Sequence, residues 1–131
     1  MAELSYTKLL SGSTNGRPIK VVATATAGTA IHTTPSVAGT QDVHDQIFIY
    51  ATNTHASTAA DLTIEFGGVT SPDDLLLMNI AAGVGPVLVV PGFLLNNNLS
   101  VGAFASVANI INITGYVCRM PVNSSGMTNL Q

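Results

Sequence analysis

Gln46-Ile47-Phe48-Ile49-Tyr50-Ala51, followed after a polar break by Asp61-Leu62-Thr63-Ile64-Glu65-Phe66, is the stretch on which the fold turns. The first run is dense in β-branched and aromatic residues, which suit a pleated, half-buried surface better than a helix. The second alternates apolar with polar residues and stops at Gly67-Gly68. Successive side chains of a strand point to opposite faces. Leu62, Ile64 and Phe66 are therefore expected on a buried face, with Thr63 and Glu65 on a wetter one.

Working outward toward the C-terminus, the chain turns through Ser71-Pro72-Asp73-Asp74. Leu75-Leu76-Leu77-Met78-Asn79-Ile80 and Val87-Leu88-Val89-Val90 then read as strands on either side of Gly83-Val84-Gly85-Pro86. Pro91-Gly92 reads as a turn before the brief apolar segment 93–95. Asn96-Asn97-Asn98 reads as an exposed tip, since Asn tolerates left-handed backbone. Residues 99–105 form another strand, with Val101, Ala103 and Ala105 on one face. Residues 110–120 form the longest, stopped at Pro121. Toward the N-terminus, residues 36–44 read as a loop, 29–34 as a short strand stopped by Pro35, and 19–26 as a strand. The turn-rich loop 11–16 precedes them, its Asn15-Gly16 supporting positive φ.

No long stretch keeps apolar residues at the three-and-four spacing of a helix. Seven to nine short strands, with turn signals about every ten residues, predict an all-β, single-domain antiparallel β-sandwich that is jelly-roll-like. The expected sandwich covers residues 9–121, with an N-terminal arm at 1–8 and a flexible C-terminal tail at 122–131. Arm and tail are candidates for reaching a neighbouring subunit.

A chain of 131 residues suffices for one core without metal or disulfides. Only 8% of its residues are charged, against roughly 25% in an ordinary soluble domain. A monomer normally coats itself with charge, so the composition implies a surface covered by other protein, in an oligomer or a lattice. A net charge of −3 with Lys8, Arg17, Lys20 and Arg119 scattered along the chain argues against direct nucleic-acid binding. The membrane candidate, residues 75–95, is broken by Pro86, Pro91 and three glycines and holds Asn79, and it reads as two strands. The N-terminus lacks the basic and apolar regions of a secretory signal. Cys118 is the one cysteine and reads as a small buried apolar residue.

Candidate chemistry is thin. His32, His44 and His55, with Asp42 and Asp45 flanking the second, are the residue types of a metal site, yet they lack helical or ribbon ligand spacing. Asp73 and Asp74 follow a proline and read as turn caps, because adjacent acids diverge instead of facing each other across a substrate. Gly83-Val84-Gly85 is followed by Pro86 and a strand, so it is a turn and no phosphate loop. Phe48, Tyr50, Phe66, Phe104 and Tyr116 lie in strand runs and are expected in the core, whereas Tyr6 and Phe93 fall in less regular stretches. No catalytic, cofactor-binding or metal-binding residue is assigned, and the chain is read as non-enzymatic.

The block 45–54, the run Leu62-Thr63-Ile64-Glu65-Phe66-Gly67-Gly68 with Ser71-Pro72-Asp73-Asp74, and the later runs 87–97 and 109–117 together resemble small β-rich virion structural proteins of tailed bacteriophages. The resemblance extends over most of residues 16–120 and rests on strand and turn patterns. It implies a capsid decoration, or cement, protein. Such a protein is made in the bacterial host cytoplasm and sits on the capsid surface of the virion as a homotrimer, with the major capsid protein as partner. The alternative is a tail or head-fibre module that binds a host receptor or glycan.

Overall fold

The computed structural model describes residues 5–36 and 41–123. The strands are β1 (Tyr6–Leu9), β2 (Ile19–Lys20), β3 (Thr29–Thr33), β4 (Gln41–Asn53), β5 (Ala60–Phe66), β6 (Leu75–Ile80), β7 (Val87–Asn96), β8 (Ser100–Ala105) and β9 (Ile111–Asn123). Among the described residues there is no helix, and so none long and apolar enough to cross a membrane.

Two antiparallel sheets face each other. One runs β1-β9-β4-β7, with β2 sharing the β9 edge with β1; the other runs β3-β8-β5-β6. Taking β1 and β2 as two halves of one position, this is the strand order of a jelly roll, in which the chain passes from sheet to sheet at every connection except β5–β6. The fold class read from the sequence is the one observed.

Alternation builds the core. Ile47, Ile49 and Ala51 of β4 point inward with Ile111, Ile113 and Val117 of β9. They meet Leu62 and Ile64 of β5 and Val101, Ala103 and Ala105 of β8, and all are buried. Each large aliphatic side chain so enclosed contributes roughly 1.5–3 kcal/mol. The ladder between β4 and β9 is in register from Gln41↔Asn123 to Asn53↔Ile111. Gly115 lies opposite Ile49 in it, and a Cβ there would overlap the Phe48 carbonyl.

Several expectations are corrected. Residues 41–44, read as loop, extend β4, because β9 runs through Pro121 to Asn123 and supplies them with backbone partners. Pro91-Gly92 is no turn: β7 continues across it with a register shift between Ile47 and Phe48, and Gly92 takes a φ of 102°. An edge strand tolerates proline, and the extra residue is absorbed as a bulge. The expected strand 19–26 is regular only at Ile19–Lys20. Beyond it the chain must leave one sheet for the other, and it bonds to both: the Val21 amide to the Ile111 carbonyl, and the Ala23 carbonyl to the Ala105 amide.

Tyr6 to Lys8, read as part of an arm, belong to β1 and pair with Val117 to Arg119. Asn97 and Asn98 adopt the expected left-handed backbone, with φ of 62° and 61°. Residues 75–95 form two strands, as expected. Residues 1–4, 37–40 and 124–131, and with them half of the expected arm and most of the expected tail, lie outside the described residues.

Candidate functional site

Asp45 of β4 and Glu65 of β5 are buried, whereas Asp61 of β5 is exposed. In β3 a register shift between Ala30 and His32 turns both Ile31 and His32 inward. His32 reaches the opposing sheet, where its Nε2 lies 2.6 Å from Oδ2 of Asp45. Asp45 stands directly across the ladder from Arg119. The guanidinium fork donates to both carboxylate oxygens, from Nε to Oδ1 at 2.8 Å and from Nη2 to Oδ2 at 2.9 Å. The Ser11 amide donates to Nδ1 of His32 at 3.0 Å, so Nε2 carries the hydrogen given to Asp45. Burial raises the Asp45 carboxyl pKa, but the hydrogen bonds from Arg119 and His32 outweigh it and hold the group below its ordinary value. The bond to Asp45 in turn raises that of Arg119.

Ser11, His32 and Asp45 have the residue types of a hydrolase triad without its arrangement. The imidazole faces the Ser11 backbone amide, and the Ser11 hydroxyl oxygen instead accepts the Thr33 amide at 2.8 Å. A nucleophile would need its hydroxyl on the free ring nitrogen. The array is therefore a clasp between sheets, tying the loop after β1 and strand β3 to β4 and β9.

Glu65 corrects the two-faced reading of β5. It and Thr63 are buried, at 3% and 7% exposure. The segment before β3 folds over this outer face, and the two carboxylate oxygens accept the Thr26 hydroxyl at 2.6 Å and the Gly28 amide at 2.8 Å. Gly102 makes room, since a Cβ on it would press against Glu65.

The remaining histidines do not join His32. His44 bonds the side chain of Asn96 on β7, and His55 accepts the amides of Ser57 and Thr58 in its own loop. Among the described residues no three His, Cys, Asp or Glu side chains converge as a metal site would require. Asp74 caps its turn by accepting the Thr70 amide at 3.0 Å. A cleft of about 220 Å³ lies beside Glu65 and an open depression of about 750 Å³ beside β1. Glu65 is held as described, Arg119 faces Asp45, and the Ser13 hydroxyl donates to the Leu10 carbonyl.

Part of the outward surface is apolar. The outer face of the five-stranded sheet carries a row across four strands, Leu9, Tyr116, Phe48 and Pro91, set by register. The Phe48 and Tyr116 rings stack at 5.0 Å. Tyr50 and Leu88 form the next row. Phe48, Tyr50 and Tyr116 were expected in the core; they alternate with Ile47, Ile49 and Val117, which take the inward positions. Phe104 is likewise half-buried on the outer side of β8, and only Phe66 of that group packs against the core. Tyr6 and Phe93, read as irregular, lie in β1 and β7. The sequence reading weighed His32 and Asp45 only as ligands and missed Arg119; a cation with the inward parity of Val117 was the available signal.

Comparison with protein-family models, with curated proteins and with solved structures finds no match to this chain.

Proposed function

We propose that the chain is a non-enzymatic structural protein of a tailed-phage virion, a decoration protein that oligomerises on the major capsid protein lattice and stabilises the head. The observation that carries this reading is the apolar, partly aromatic row Leu9, Tyr116, Phe48 and Pro91 on the outer face of the five-stranded sheet. An antiparallel sheet with one face on the core normally turns polar residues to water on the other. Here Leu9 and Leu94 are each 55% exposed beside the Phe48–Tyr116 stack. Large exposed apolar patches mark interaction surfaces. The low overall charge and the resemblance in strand and turn pattern support the same role.

The test compares particles assembled with and without the chain. Particles carrying it are expected to retain their DNA to a higher temperature and through osmotic shock. Equal tolerance of the two, together with retention of host cells or glycans by the immobilised protein, would replace this reading with that of a receptor-binding module.

A further inference from the structure

Among the described side chains two carboxylates are buried, Asp45 and Glu65, and cations meet only the first. Both partners of Glu65, the Thr26 hydroxyl on one oxygen and the Gly28 amide on the other, are neutral. A carboxylate accepts about four hydrogen bonds, so a position on each oxygen remains. A buried charge without a counter-ion is costly. The surface beside it is built by register. Ala30 of β3, Gly102 of β8 and Glu65 of β5 stand in one row on the outer face of the four-stranded sheet. Glycine in the middle of that row leaves a gap over which the carboxylate lies. Ser100, the next outward residue of β8, pairs with Thr33. The result is the cleft of about 220 Å³, bounded by the exposed Ala27, Ala30 and Val69.

We propose that this cleft binds a primary alkylammonium group, with the ammonium on Glu65 and the methylene stem against Ala27, Ala30 and Val69. Its volume is below the roughly 300–1,000 Å³ of sites that enclose a drug-sized ligand, and suits a group the size of one side chain. The short apolar side chains of its walls suit methylenes. A guanidinium fits less well. Its planar fork takes both oxygens of a carboxylate side by side, and here each already holds a donor. An ammonium is a compact point charge that needs one free position on one oxygen. A calcium ion takes roughly six or more oxygens, and no three His, Cys, Asp or Glu side chains converge among the described residues. The lysine of another polypeptide and a free small amine share the required chemistry.

The test titrates the full ¹⁵N-labelled chain with n-butylammonium chloride at constant ionic strength and follows backbone amide shifts. The Gly28 and Gly102 amides are expected to shift saturably, one because it bonds Glu65 and the other because it lines the cleft. n-Butanol, with the stem and no charge, and tetramethylammonium, with the charge and no N–H, are expected to leave them in place. Glu65→Gln is expected to bind about 10–100-fold more weakly, the loss of one hydrogen bond to a charged group. Its amide oxygen still accepts the Gly28 amide and its NH₂ donates to the Thr26 hydroxyl, so the remaining spectrum should hold. Ala30→Leu, at an exposed wall position, fills the cleft with Glu65 intact and is expected to bind as poorly. A blocked peptide with one internal lysine, and the same peptide acetylated on that lysine, separate the two sources. Binding of the first peptide alone assigns the site to a lysine of a polypeptide, and binding of butylammonium without either peptide assigns it to a free amine. No saturable shift at Gly28 or Gly102, an equal response to butanol, or undiminished affinity in either variant would overturn the proposal.

Discussion

Asp45 occupies a β4 position that alternation gives to a core side chain, and it does so as an ion with its side chain fully shielded. A carboxylate out of water costs several kcal/mol, which only well-aligned hydrogen bonds to the charged oxygens offset. Arg119 and His32 supply three such bonds. Because they lower its pKa in the folded state, the stabilisation is present above the unfolded value of about 3.9 and is lost as pH falls through the lower folded value. Melting temperature is therefore expected to drop on acidification below about pH 4, and Asp45→Asn is expected to flatten that portion of the profile. At neutral pH the same substitution should cost about 3–5 kcal/mol by chemical denaturation, since Arg119 is left without its counter-charge. Glu65 plays a local part. Glu65→Ala frees the Thr26 hydroxyl and the Gly28 amide, an expected loss of about 1–3 kcal/mol. Amide exchange at Gly28 should quicken while the amides of β4 stay protected.

At the scale of elements, the pairing of β4 with β9 is the tie that the rest of the five-stranded sheet is hung on. Gly115 permits it, because β9 passes too near the Phe48 carbonyl for any side chain. Gly115→Ala is expected to destabilise the fold by about 1–3 kcal/mol, read from the urea midpoint, whereas Gly83→Ala, whose Cβ would meet only the His55 carbonyl at 4.0 Å, should cost only what its left-handed φ imposes. The strands from Ala60 to Ile80 were legible because short apolar runs sit between turn residues there, and hydrophobic spacing is a local signal. The ends of β4 and β9 were not legible. Residues 41–44 become strand only because 120–123 lie alongside them, a partnership nothing nearby in sequence announces. Pro91 misled for a related reason, since only position at a sheet margin distinguishes a bulge from a turn. Of the buried polar sites, His32 and Asp45 stood out by residue type. Their meeting with Arg119 depends on a bulge in β3 and on register across two strands, so the clasp stayed hidden.

For the whole molecule, the cations gather at one margin, on β1, β2, the loop between them and β9, while residues 75–96 at the other margin carry no charged side chain. On the proposed oligomerisation, copies that meet through the uncharged margin are expected to keep their sedimentation coefficient in about 1 M sodium chloride, where the Debye length is about 3 Å, whereas copies held through the cationic margin should dissociate. The strand order has one more consequence, in time instead of space. β4 lies between β7 and β9, both of which follow it in the chain, the latter by some seventy positions. A ribosome that has released residues 41–53 has yet to make either neighbour, so Asp45 emerges long before Arg119 exists to meet it. The five-stranded sheet can close only after β9 has been made, and a nascent chain must keep its most apolar segments from sticking to other chains until then.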